Sequence, residues 1–151
     1  MNLLTRILGR HKRQESHPVF GCLLLSTGKH GSYWEAEPLL RGDSISVSIE
    51  IAGEELPSEA QTLFYERLTA NPDVVFAKAA PLLVPEYEKW SRRPFPDNWR
   101  TAFKFVGMSI PVAGLELNPW ELSFDCLTDR AGHMFTCYFI DGGPSHVTID
   151  G

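Results

Sequence analysis

Residues 44–51 alternate without a break: Ile45, Val47, Ile49 and Ile51 take one side, and Ser44, Ser46, Ser48 and Glu50 the other. Successive strand side chains point to opposite faces, so this period of two predicts a half-buried strand in an antiparallel sheet. The stretch "SYWEAEPL" shows the same period, with Tyr33, Glu35 and Glu37 on one side and Trp34 and Ala36 on the other. Pro38 ends that strand or places it at an edge. The run "HPVFGCLLLS" before it is β-compatible, and "TGKHG" supplies a turn between the two. Arg41-Gly42-Asp43 falls where a hairpin needs a tight turn, which accounts for it better than integrin recognition.

The period then lengthens. In "LPSEAQTLFYERLTAN", a Pro57-Ser58-Glu59 entry precedes a stripe of Ala60, Leu63, Phe64 and Leu68, which predicts a helix ended by Asn71-Pro72. A second helix is predicted from Asp73, which lies where a carboxylate complements the helix dipole. Pro81 and Pro85 are expected to kink or divide it. Beyond the loop "RRPFPDNW", period two returns in "RTAFKFVGMSIP", "ELSFDCLTD", "HMFTCYFID" and "HVTID". The last two predict a closing hairpin through "DGGPS", with Gly142 and Gly143 at positive φ and Pro144 fixing the exit. Strands and helices in separate blocks predict an α+β fold. Its expected form is a mainly antiparallel sheet of about six to eight strands, with two central helices packed on one face.

The 151 residues suit one domain, expected over 18–151 behind a basic N-terminal arm at 1–17. That arm carries Arg6, Arg10, Lys12 and Arg13 against Glu15, and its leucines suggest a short amphipathic helix docked loosely on the body. The net charge of −5 therefore understates how acidic the body is. Residues 35–59 hold seven acids (Glu35, Glu37, Asp43, Glu50, Glu54, Glu55 and Glu59) and one base, Arg41. An acidic body argues against nucleic acid and suits a basic protein partner. Three cysteines, an odd number without CxxC and without a leader-type N-terminus, point to a reducing compartment, so a cytoplasmic location is expected. No apolar run is long enough to span a membrane.

The candidate chemistry is sparse. Cys126, His133, Cys137 and His146 are zinc-ligand types, but each cysteine shares a strand face with Leu or Phe, where a thiol behaves as a small hydrophobe. The aspartates Asp125, Asp129, Asp141 and Asp150 do not follow the calcium-loop pattern. No GxSxG, Walker A or GxGxxG loop occurs. No catalytic, metal or cofactor site is therefore expected. Glu35 and Glu37, about 7 Å apart along one strand face, form with Trp34 a carboxylate-and-aromatic spacing of the kind a glycosidase uses.

Taken together, "PVFGCLLLS", "SYWEAE", "ISVSIEI", "PSEAQTLFYERLTAN", Tyr87 and "GHMFTCYFIDG" with "VTIDG" resemble a group of uncharacterised bacterial α+β domains of unknown function. The resemblance spans about residues 18–151. It implies an immunity-like protein, of the sort encoded in or near polymorphic-toxin loci, and brings no catalytic motif with it. Two functions follow as expectations. The first is a non-enzymatic, cytoplasmic protein-binding domain, immunity-like toward a basic toxin or effector, with Trp34, Glu35, Glu37, Asp43, Glu50, Glu54 and Glu55 at the partner surface. The alternative is a small hydrolase or carbohydrate-binding domain using the acidic, Trp-bearing strand. A regulatory dimer is a third outcome, and the sequence leaves the oligomeric state open.

Overall fold

The computed structural model describes residues 13–29 and 31–151. The expected amphipathic helix of the N-terminal arm falls on residues outside this range. Among the described residues ten strands are present: β1 (Gln14–His17), β2 (Gly21–Gly28), β3 (Gly31–Ala36), β4 (Leu39–Leu40), β5 (Asp43–Ser44), β6 (Ser46–Ile51), β7 (Phe103–Ile110), β8 (Trp120–Cys126), β9 (Met134–Ile140) and β10 (Gly143–Asp150). Helices α1 (Glu59–Thr69) and α2 (Pro72–Ser91) separate β6 from β7. Eight strands form one sheet in the order β1-β2-β3-β6-β7-β8-β9-β10, and β4 with β5 makes a small hairpin. The protein is thus α+β with a mainly antiparallel sheet.

The sheet differs from expectation at its centre. β6 is antiparallel to β3 but parallel to β7. A parallel neighbour needs a long crossover, and the two helices provide it. Both helices pack on one face. Phe64 of α1 meets Trp120 edge to face, Tyr87 of α2 meets Phe103, and Trp90 meets Phe135. Beneath them lies a continuous core that includes Ile45, Val47, Ile49, Ile51, Leu122, Phe124 and Phe135.

Several local features depart from the sequence pattern for identifiable reasons. β1 occupies part of the predicted basic arm, and Pro18–Phe20 form a turn rather than strand. His17 Nδ1 accepts the N–H groups of Val19 and Phe20 and closes that turn. In α1 the buried stripe is Gln61, Phe64, Tyr65, Leu68 and Thr69, while Ala60 and Leu63 are exposed. α2 runs unbroken through Pro81 and Pro85. Both prolines are exposed, so the carbonyls they leave without a helical donor face water. The closing turn sits one residue earlier than predicted: Asp141 (φ 54) and Gly142 (φ 84) have positive φ, and Gly143 already belongs to β10. Asp-Gly is a favoured pair for that two-residue turn. Arg41 and Gly42 form the β4–β5 turn as expected, and Arg41 also donates to the carbonyls of Thr69 and Ala70 at the end of α1.

Candidate functional site

The seven residues expected at a partner surface separate in space. Trp34 points into the helix-side core with no exposed area, and its indole N–H donates to the Glu55 carbonyl at 2.7 Å. Trp34 therefore lies on the opposite face of β3 from Glu35, and the Trp–carboxylate constellation of the hydrolase alternative is not assembled. Arg13 covers the Trp34 ring at 5.3 Å and donates to the Glu54 carbonyl. The Glu55 carboxylate accepts the N–H groups of Ala52 and Gly53. Backbone donors at Glu55 itself, Ala52 and Gly53 hold that carboxyl below its ordinary range, so its role is to cap the turn after β6. Asp43 sits in the small hairpin, 3.6 Å from Lys104. Glu37 is exposed beyond the end of β3.

Glu35 and Glu50 remain together on the sheet face that neither helix covers. Strand register defines this face. Leu24, Glu35, Ser48 and Ser109 stand opposite one another across β2, β3, β6 and β7. The Ser109 hydroxyl accepts the Glu121 N–H, and Glu121 in turn stands opposite Tyr138, and Tyr138 opposite His146. Tyr33 is opposite Glu50 and donates to Glu35 Oε1 at 3.4 Å. The Tyr138 and His146 rings stack at 4.5 Å. Small hydroxyl residues fill the centre, where Ser123 and Thr136 share a hydrogen bond and Thr136 is buried. At the β2–β3 side the face opens into a cleft of about 1030 Å³ lined by Tyr33, Glu35, Glu37, Ser46 and Ser48.

Two carboxyls on this face are energetically uncomfortable as anions. Burial raises the Glu50 pKa, and the nearby Glu121 charge raises it further; burial also raises Glu121. For an acid whose pKa is higher folded than unfolded, the folded chain holds more protons between the two values. Stability is therefore full below the unfolded value and falls as pH rises through the raised folded one. Glu121→Gln should stabilise the protein at pH 7 by roughly 0.5 kcal/mol and flatten the decline of stability above about pH 4.5. Urea denaturation at pH 4 and pH 7 measures both effects. A loss of stability at pH 7 would contradict this account.

Glu121 and Tyr138 did not stand out in the sequence, and His146 did so only as a zinc-ligand type. Their signal was phase: in "WELSFDC", "MFTCYFI" and "HVTID" they occupy the non-core positions, but only strand order places β8, β9 and β10 in one sheet with β6, beyond β7. The cysteines follow their phase, since Cys126 and Cys137 are buried in the core and burial pushes the Cys137 thiol up to about 11. His133 Nδ1 bonds instead to the Asp129 carboxylate, which that bond holds below its ordinary pKa. Among the described residues no three His, Cys, Asp or Glu side chains converge as a metal site. Nor is any described helix long and apolar enough to cross a membrane.

Fold and face define the class, an α+β domain with an acid-bearing sheet face left open by its helices. No family model, curated protein or solved structure matches the chain.

Proposed function

We propose that the protein is a non-enzymatic binding domain whose uncovered sheet face docks a basic protein, in the manner of an immunity-like partner of a toxin or effector. The observation that carries this reading is the shared position of Glu35, Glu50 and Glu121 on that face, with Glu50 and Glu121 held at raised pKa. A lysine or arginine arriving from a partner relieves the like-charge repulsion there. Relief of that kind strengthens binding beyond what an ordinary surface ion pair supplies. Tyr33 and Tyr138 flank the acids and offer flat apolar area for the aliphatic stems of such side chains. A cytoplasmic setting for the pair belongs to the same proposal.

The test compares wild type with Glu50→Lys/Glu121→Lys as immobilised bait for a basic toxin encoded beside the gene. Wild type is expected to bind with an association rate that falls steeply with salt. The double reversal is expected to weaken binding by at least about tenfold, or ~1.4 kcal/mol, while circular dichroism shows an unchanged fold. Equal affinity of both proteins, independent of salt, would refute the reading.

A further inference from the structure

The two ends of the eight-stranded sheet are unlike. β1 is four residues long and carries the Arg13–Glu15 ion pair beside it. Short length and charge are the usual means by which an edge strand is kept from pairing with another chain. β10 is eight residues long and bears no lysine or arginine. Its bulge and its proline both lie at the start, between Pro144 and His146. The stretch that follows, His146-Val147-Thr148-Ile149-Asp150, pairs regularly with Tyr138 through Met134 of β9.

That regular stretch is self-complementary. Its faces are set by the β9 register: His146, Thr148 and Asp150 share the open face, while Val147 and Ile149 pack against the core on the helix face. We infer that β10 is the docking edge for a second copy of this chain, paired antiparallel about a two-fold axis through Thr148. This register places His146 opposite Asp150 of the copy, so an imidazole meets a carboxylate twice. It also places Val147 opposite Ile149 of the copy, which carries the apolar layer across the seam. Moving the axis to Val147 or Ile149 sets His146 or Asp150 against Thr148 and loses both ion-pair contacts. An axis between two residues sets the polar face of one copy against the apolar face of the other.

A second observation points to the same axis. The Thr148 hydroxyl is sealed from solvent and makes no hydrogen bond. Buried polar groups without partners are uncommon and costly. The atoms that seal it belong to this chain, so a rotation about χ1 must turn it to the edge, where the hydroxyl it meets across the proposed axis is that of the copy's own Thr148, a cross-strand Thr–Thr pair. Joining the edges removes the only long unprotected edge among the described strands and produces an isologous interface that closes at two copies.

Light scattering behind size exclusion on the full chain should give twice the monomer mass. His146→Asp sets aspartate against Asp150 of the copy at both ends and is expected to weaken the dimer at least tenfold. Adding Asp150→His to that variant restores opposite partners and should recover the dimer, which a folding defect would not do. In a Cys22→Ser background, Thr148→Cys should cross-link to a covalent dimer under mild oxidation, because directly opposed antiparallel residues have Cα separations within disulfide reach. Val147→Cys, facing Ile149 of the copy, should not. A monomer at all concentrations, or a dimer indifferent to His146→Asp, would overturn the inference. The outcome is independent of basic-partner binding, which engages the sheet face rather than its edge.

Discussion

Trp34→Ala is expected to destabilise the protein by about 3–5 kcal/mol, enough to unfold much of a marginally stable domain. The side chain is fully buried in the third strand of eight, paired with Leu25 on one side and Ile49 on the other. Its removal opens a large cavity within the core. It also strands the Glu55 carbonyl, which receives the indole N–H, and removes the ring on which Arg13 rests. Those two contacts join the residues before β1 to the loop leading into α1. A fall in the urea midpoint, with the slope unchanged, reports the loss. Trp34→Phe retains most of the volume and loses the indole donor, so it should cost about 1–3 kcal/mol. The pair also tests function. A tryptophan at a partner surface would be a binding hot spot. Because Trp34 faces the core, Trp34→Phe should leave affinity for a basic partner within twofold. A tenfold loss of affinity in a folded variant would place the binding surface elsewhere.

The contrast between Trp34 and its neighbour shows which information the sequence holds. Periodicity separated Trp34 from Glu35 correctly, because alternation is a local property of a strand. It also identified Ile45, Val47, Ile49 and Ile51 as one buried row, and assigned Cys126 and Cys137 to the core side. Grouping Trp34 with the acids overrode that phase in favour of proximity along the chain. The acid cluster at 35–59 was legible as composition, yet three of its members have local structural roles: Glu55 caps a turn, Glu54 offers its carbonyl to Arg13, and Asp43 pairs with Lys104. Glu121 joins Glu35 and Glu50 only because β7 lies parallel to β6 and brings β8 with it. Strand order depends on pairings between distant segments, and no local pattern encodes them. Pro81 and Pro85 illustrate the opposite case. Their intrinsic helix penalty is real, but an exposed position lowers it and the buried row Val75, Ala79, Leu83 and Tyr87 holds the helix together.

The second large effect is expected at Gln61, a residue the hydrophobic pattern of α1 passes over. Its side chain is 2% exposed and sits at the junction of β6, α1 and the turn after β7. The amide nitrogen donates to the carbonyls of Glu50 and Pro111, and the amide oxygen accepts the Ser58 N–H. The Gln61 N–H in turn donates to the Ser58 hydroxyl, completing a reciprocal cap at the start of α1. The packing nearby is too close to accommodate a shift: a Cβ on Gly114, which has φ +67, would lie 2.6 Å from the Ala60 carbonyl oxygen. Gln61→Leu keeps the bulk but takes the amide donor from the Glu50 and Pro111 carbonyls, the latter keeping only the Gly114 N–H, and removes half of the cap. At about 1 kcal/mol or more for each loss, the total is roughly 3 kcal/mol. Gln61→Glu separates hydrogen bonding from shape. The new carboxyl can bond to those carbonyls only when protonated, so its folded pKa must rise above the unfolded value. The deficit should therefore be smallest below about pH 4.5 and grow as pH climbs toward the raised folded value. Denaturation midpoints across pH 4–8 read this out. A Gln61→Leu variant as stable as wild type, or a Gln61→Glu variant whose deficit ignores pH, would show that the amide does not join the two halves of the sheet at this point.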